Sequence, residues 1–254
     1  MGTWRTSARR LLRKSPVAYR VVRRAEAAAR AAVHAWREPP VRALPASLDE
    51  QAEWQEELYL LDDDPWNFER SPYEQGKYQH TLDVLTADGA RYESALEVGC
   101  SIGVFTEMLA PHCGELVAVD ISATAVERAE ARVAGQPHVR VERMVLPNEM
   151  PGGTFDLVVC SDVLYYLEGP SLAKTVDAIA GTIRPGGALV VVSWLGTFGP
   201  MSGAELHATL RHLLPPSFRL DRSERRDVDG PQGIGYQLDV YRREPSAAAD
   251  GDGS

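Results

Sequence analysis

Between Ala95 and Tyr241, short apolar runs alternate with longer stretches whose apolar residues recur at helical spacing. The runs Ala95–Val98, Leu116–Val119, Val139–Val141, Phe155–Cys160, Ala188–Trp194 and Tyr236–Tyr241 have the length and residue types of strands. Helices are predicted over Val104–Ala110, from the N-cap Ser122 to Val133, over Ser171–Ile183, and over Glu205–Leu214, where Pro215-Pro216 stops the last. Ala188–Trp194 is almost continuously apolar, so it belongs at the centre of a sheet covered on both faces. Alternation of this kind predicts an α/β sandwich around a mainly parallel sheet.

Upstream the pattern is helical only. Ser47 and Glu50 have capping-box spacing and open a helix to about Leu61, which Asp62-Asp63-Asp64-Pro65 ends. A second helix starts near Pro72 and carries Tyr73, Lys77 and Tyr78 towards Leu85. Earlier still, Val17, Val21, Ala25, Ala28, Ala32 and Trp36 give an amphipathic pattern that ends before Pro39-Pro40. The expected organisation is an N-terminal extension and Pro-rich linker at 1–46 and one domain at 47–243, whose first part, 47–90, folds over the site as a helical lid. Small polar residues at 244–254 predict a disordered tail.

Charge divides the same way. The chain of 254 residues has a net charge of −9, but residues 1–42 carry eleven Lys/Arg against two Glu, so the remainder is near −18. The acidic body excludes general nucleic-acid binding. The basic arm is either a solvated leader or a surface for anionic lipid or protein. Arg9-Arg10 has no apolar stretch after it, so an export signal is rejected. No run approaches the ~20 apolar residues of a membrane-spanning helix. Cys100, Cys113 and Cys160 form no CxxC pair and no metal-ligand spacing, which predicts free thiols in a reducing, cytoplasmic setting.

The most informative stretch is Leu96-Glu97-Val98-Gly99-Cys100-Ser101-Ile102-Gly103, a strand running into a Gly-flanked loop that opens a helix. Glycine there permits positive φ and close approach of backbone to a ligand. Asp120 ends the next strand, where an acid can accept hydrogen bonds from a ribose diol. The dinucleotide pattern G-x-G-x-x-G fails, because Ser101 and Val104 occupy two of its glycine positions.

The loop Glu-x-Gly-x-x-x-Gly resembles that of class I S-adenosylmethionine-dependent methyltransferases. Three further segments fall at that superfamily's expected places: Asp120-Ile121, Phe155–Asp162, and the turn Arg184-Pro185-Gly186-Gly187. The resemblance implies a Rossmann-like three-layer sandwich with a seven-stranded, mainly parallel sheet and an antiparallel last strand. It implies S-adenosylmethionine as cofactor, held by Glu97, Gly99, Cys100, Ser101, Gly103, Asp120, Ile121 and Ser161. Trp66, Tyr73 and Tyr78 are the lid aromatics expected to close over it. Many members bind adenine through an acid about ten residues before the fourth strand. Met144-Val145-Leu146-Pro147 stands there instead, Glu142 is too early, and no residue is assigned to adenine.

A narrower resemblance covers roughly residues 64–241. Asp64-Pro65-Trp66, Ser71-x-Tyr73-Glu74-x-x-Lys77-Tyr78, Cys100-Ser101-Ile102-Gly103, Ser161–Leu167 and Ser202-Gly203-x-x-x-His207 are similar to the nodulation protein S (NodS) group. That likeness implies a small-molecule or glycan acceptor, with N-methylation of an amino sugar in the lead. Two positions depart from it: Ser193 precedes Trp194 where a His is expected, and Ala204 stands where an acid is expected.

Methyl transfer to an amine needs a nitrogen lone pair free of its proton. Asp162, just past the fourth strand, is a candidate to bind or deprotonate the amine, or else a cap that orients the cofactor. His207 is the second candidate base, or else a packing residue. Tyr165 and Tyr166 face substrate or pack, and Lys77 meets the cofactor carboxylate or stays solvated. No thiol nucleophile is expected at Cys100, since no basic neighbour lowers its pKa. The alternatives are O-methylation of a specialised metabolite, which requires His207 as base, and a non-catalytic S-adenosylmethionine-binding or membrane-associated scaffold.

Overall fold

The computed structural model describes residues 47–197, 199–228 and 233–245, with only the backbone at Asp88. The chain divides between Arg42 and Ala43, and the described residues all belong to the second unit, Ala43–Ser254. The arm, the linker and the tail beyond Pro245 lie outside the described residues.

In the second unit the elements in order are α1 (Leu48–Leu61), α2 (Pro72–Leu85), β1 (Tyr92–Val98), α3 (Val104–Leu109), β2 (Cys113–Asp120), α4 (Ala123–Val133) and β3 (Val139–Arg143). After them come β4 (Phe155–Ser161), α5 (Gly169–Thr182), β5 (Ile183–Trp194), α6 (Gly203–Leu213), β6 (Phe218–Arg226) and β7 (Tyr236–Arg243). The sheet order is β3-β2-β1-β4-β5-β7-β6. Strands β1 to β5 pair parallel, and β7 runs antiparallel to both β5 and β6. This is the seven-stranded sheet with an antiparallel last strand that the loop resemblance implied.

Local chemistry sets the helix starts. Ser47 and Glu50 close the capping box of α1, and Ser202 with Glu205 closes that of α6. Ser71 caps α2 ahead of Pro72, and Ser122 caps α4. Strand alternation then sorts the core. Leu157 and Val159 join Phe105 and Leu109 of α3 on one face, while Val158 and Cys160 join Val176 and Ile179 of α5 and Leu206 of α6 on the other. Ala118 and Val141 receive Val126, Ala129 and Val133 of α4.

Two features differ from the hydrophobic reading. β6 carries Arg219, Asp221, Arg222, Glu224, Arg225 and Arg226 and is mostly exposed, so it has no apolar run to betray it. It is an edge strand whose charges discourage pairing with another chain. The segment Arg184–Gly187, read as a turn, lies inside β5 as an irregularity: the ladder to β4 shifts register between Phe155 and Leu157. No helix among the described residues is long and apolar enough to cross a membrane.

Strand order reverses between β1 and β4, whose neighbours β2 and β5 lie on opposite sides. In an open α/β sheet the crevice outside the carboxyl ends at such a point is where ligands bind. The loops after β1 and β4 carry Gly99–Gly103 and Asp162, so topology alone brings the two strongest sequence candidates together.

Candidate active site

The loop after β1 folds back on β2, with the Gly99 and Cys100 N–H groups both donating to the Val119 carbonyl at 2.8 and 3.0 Å. Gly99 and Gly103 each have φ of 78°. A Cβ on Gly99 would lie 2.8 Å from Val163 Cγ2, and one on Gly103 2.9 Å from Ala129 Cβ. Glycine is required at both positions for backbone angle and for space. Ser101 is also left-handed, with φ of 51°. A serine in that region is strained unless its surroundings hold it. They do: its N–H donates to Asp120 Oδ2 at 2.8 Å, and its Oγ accepts from the Tyr59 hydroxyl at 2.6 Å.

Asp120 is buried and also accepts from the Ser122 N–H at 3.0 Å. Each oxygen thus takes one backbone donor, and a carboxylate offers about four acceptor sites, so capacity remains for the two hydroxyls of a ribose. Glu97 is 3 % exposed and accepts from Thr106 Oγ1 at 2.7 Å. Burial pushes its carboxyl up to about 7 against the Thr106 hydrogen bond. A buried acid with an unbalanced charge suits a cationic ligand group such as an α-ammonium. The diol acceptor, the left-handed loop and this acid fit S-adenosylmethionine. Cys100 is buried with its thiol pushed well up by burial, which removes it as a nucleophile. Ile121 follows Asp120 half-buried, and Ser161 ends β4 beside Val192. Glu142 pairs with Arg140 at 2.8 Å on the exposed side of β3 and offers nothing to an adenine.

Helix α1 lies against α4 by an exchange of helix ends. Glu56 accepts from Ser122 Oγ at 2.7 Å and the Thr124 N–H at 3.1 Å, at the positive end of α4. Burial opposes its charge, but these hydrogen bonds prevail and hold its carboxyl low. Arg128 donates to the carbonyls of Tyr59, Asp62 and Asp63 at 2.8, 3.0 and 3.1 Å, closing the last turn of α1. Tyr59 is the fully buried residue of α1, while its neighbours Leu60 and Leu61 stay exposed. Neither it nor Glu56 was predicted, because no hydrophobic pattern marks that surface.

The loop after β4 holds the second half of the site. Asp162 is left-handed, with φ of 52°. Its Oδ1 accepts from the Trp194 N–H at 2.7 Å and the Tyr165 hydroxyl at 3.4 Å, and its Oδ2 accepts from Lys77 of α2. Lys77 is 1 % exposed and also lies 2.6 Å from Glu74 Oε2. Its ammonium stands 5.2 Å from the Tyr73 ring centre and 5.9 Å from that of Tyr78. Burial alone would lower the Lys77 pKa, but Asp162 and Glu74 raise it above its ordinary value. Lys77 is therefore a fixed cation, neither solvated nor bound elsewhere.

The lid aromatics separate. Tyr78 stacks on Phe105 at 5.3 Å and seats α2 on α3. Tyr73 turns the other way, edge-on to Tyr236 at 6.0 Å. Trp66 packs against the core partly buried. Tyr165 and Tyr166 lie 4.9 Å apart in the turn Leu164–Tyr166, and Gln51 of α1 donates to the Tyr166 carbonyl at 3.2 Å.

His207 is the second candidate base. It is 1 % exposed on α6, on the face of the sheet opposite α3, with Nδ1 2.9 Å from Asp239 Oδ2. Asp239 also accepts from Ser223 Oγ at 2.6 Å, Gln237 Nε2 at 3.0 Å and the Tyr241 hydroxyl at 3.2 Å. Burial opposes the charge of Asp239, yet the His207, Ser223 and Gln237 hydrogen bonds hold its carboxyl down at about 2. A general base must touch the proton it removes. His207 is enclosed in a structural network and meets no acceptor in this conformation.

The sheet order and the cofactor loop together define a class I S-adenosylmethionine-dependent methyltransferase. A sequence model of the family described as Nodulation protein S (NodS) matches residues 50–210, and the chain belongs to that family. It is 41% identical over 111 residues to Nodulation protein S of Bradyrhizobium diazoefficiens, covering 44% of this chain and 53% of that protein. It is 33% identical over 168 residues to Nodulation protein S of Rhizobium tropici, covering 64% and 70%. Among solved structures it resembles N-methyltransferase NodS from Bradyrhizobium japonicum WM9 in complex with S-adenosyl-L-homocysteine. That match has a TM-score of 0.66 and 26% identity, and covers 76% of this chain and 98% of that one.

Proposed function

We propose that the protein transfers a methyl group to the amino group of a sugar or oligosaccharide. The observation that carries this reading is the buried cluster past β4, where the carboxylates of Glu74 and Asp162 bracket one ammonium beneath the rings of Tyr73 and Tyr78. Two acids with aromatic faces complement an amine far better than a hydroxyl. The N-methyltransferase named in the similar solved structure supports the same choice.

Bound S-adenosylmethionine supplies an electrophilic methyl on a sulfonium that is already a good leaving group. Asp120 would hold the ribose, and Glu97 the α-ammonium. Tyr59 locks Ser101 in the loop, while α1 and α2 screen the crevice from water. Asp162, fixed by Trp194, Tyr165 and Lys77, sets the negative field in which the acceptor nitrogen meets the methyl. The burial of His207 beside Asp239 favours the amine reading over O-methylation, which needs His207 as its base.

The test is acceptor screening with labelled S-adenosylmethionine, comparing deacetylated chitooligosaccharides and amino sugars with their N-acetylated forms. Label appears on the free-amine compounds alone if the reading holds. Equal labelling of the N-acetylated forms refutes it.

A further inference from the structure

The two carboxylates that bracket Lys77 are not equivalent. Both oxygens of Asp162 are engaged, Oδ1 by Trp194 and Tyr165 and Oδ2 by Lys77. Glu74 is 8 % exposed, and beyond its ion pair with Lys77 its Oε2 accepts no hydrogen bond among the described residues. Two residues that touch this pair carry a buried polar atom with no hydrogen-bond partner among the described residues, the Tyr73 hydroxyl and the Trp194 indole N–H. Tyr73 lies over the Lys77 ammonium, and Trp194 gives its backbone N–H to Asp162. Buried polar groups are nearly always satisfied, so the unpartnered Tyr73 hydroxyl beside this ion pair and the unpartnered indole of the residue that holds Asp162 point to a polar ligand.

We propose that Glu74 takes the proton from the acceptor's ammonium, in a subsite completed by Tyr73 and Trp194 and positioned by Lys77. The proposal rests on the reading of the acceptor as an amine. A primary ammonium gives one proton to the Glu74 carboxylate and becomes a neutral amine. The nitrogen then forms the N–C bond while the C–S bond breaks and its electron pair stays on sulfur. The product is a secondary ammonium, and Glu74 returns its proton to solvent. Burial raises the Glu74 carboxyl against the pull of Lys77, and the Asp162 charge adds to the rise, which suits Glu74 to take up a proton. Lys77, held protonated, cannot serve. The polar atoms suit a hydroxylated amine, with the Trp194 N–H for a hydroxyl oxygen and the Tyr73 hydroxyl for either partner.

The experiment uses the full chain with deacetylated chitotetraose and compares wild type with Glu74→Gln and Glu74→Asp. The rate is followed from about pH 6 to about pH 10, because a base becomes dispensable once the acceptor arrives neutral. Glu74→Gln is expected to lose about 100-fold in kcat/KM near neutral pH and to recover most of it at the alkaline end, with Glu74→Asp in between. Calorimetry on protein saturated with S-adenosylhomocysteine gives a second readout. Glu74→Gln weakens binding of the deacetylated tetramer and leaves the N-acetylated tetramer unchanged. A loss that is uniform across pH, or a fall of less than about threefold, overturns the proposal while leaving N-methylation standing. A wild type that methylates hydroxyls and no amine overturns both. Should Glu74→Gln fail to fold, the pH-dependent loss in Glu74→Asp decides.

Discussion

Two buried acid networks lie on this sheet, and they differ in the charge they balance and in the elements they join. Around Asp239, four side chains from α6, β6 and β7 converge on one carboxylate, although the ring nitrogens of His207 make no well-formed hydrogen bond among the described residues. Around Asp162 and Glu74, a single ammonium serves two carboxylates, and the Tyr73 hydroxyl beside it has no hydrogen-bond partner among the described residues. The first arrangement ties an edge strand to the sheet. The second gathers two carboxylates on one ammonium at the point where strand order reverses. Buried charge is thus no mark of function by itself; an excess of acid at a topological switch point is the sharper sign.

Removing Asp239 is the harshest way to test the structural half of this contrast. Asp239→Ala leaves His207, Ser223 and Gln237 without their common acceptor. It is expected to cost about 3–5 kcal/mol in chemical denaturation, the scale of a broken buried pair. A loss below about 1 kcal/mol would show that the network does not hold β6 and β7 in place.

Glu97 brings pH to bear on the site half. Its folded pKa of about 7 lies above the ordinary value of 4.5, so between those limits the folded state binds more protons than the unfolded one. Stability then falls as pH rises through that window, by about 3 kcal/mol in all. Glu97→Gln removes this slope and is more stable than wild type at pH ~8 in urea titrations. Asp239 behaves oppositely: its carboxyl, held at about 2, gives stability that is present above the ordinary 3.8 and lost as pH falls through 2. Identical pH dependence of stability in wild type and Glu97→Gln counts against the assignment.

Asp120→Ala is expected to weaken S-adenosylmethionine binding by about 1–3 kcal/mol in calorimetry, the scale of buried hydrogen bonds lost. Unchanged affinity sinks the ribose role. The smallest effect belongs to His207→Gln, which keeps a polar ring substitute near Asp239. It should lower stability by about 1–2 kcal/mol and leave turnover per folded molecule within about threefold. A drop of about 100-fold or more would restore His207 as a base.

How far these regions were legible in the sequence depends on how local their causes are. The loop Gly99–Gly103 was readable because a left-handed turn demands glycine, and Asp120 and Asp162 because a parallel strand delivers its next residue to the crevice. The helix starts were readable because capping is settled within four residues. The role of Glu74 was not: its i,i+3 spacing to Lys77 is visible, but the partner that makes the pair a site, Asp162, lies 85 residues from Lys77. Tyr59 was hidden among the leucines that end α1, and β6 among charges. His207 showed a motif position but not its face, and the face decides whether a histidine meets an acceptor or a buried acid.

The most direct test sets Asp162→Asn beside Asp239→Asn, measuring thermal stability and turnover of an amine acceptor per folded molecule in the same preparations. Asp162→Asn should lose at least about 100-fold in kcat/KM even after correction for any loss of stability. Asp239→Asn should melt several degrees lower, yet turn over within about threefold of wild type. Equal loss of turnover in the two variants, or the greater loss in Asp239→Asn, would contradict the division of this sheet into a chemical network and a structural one.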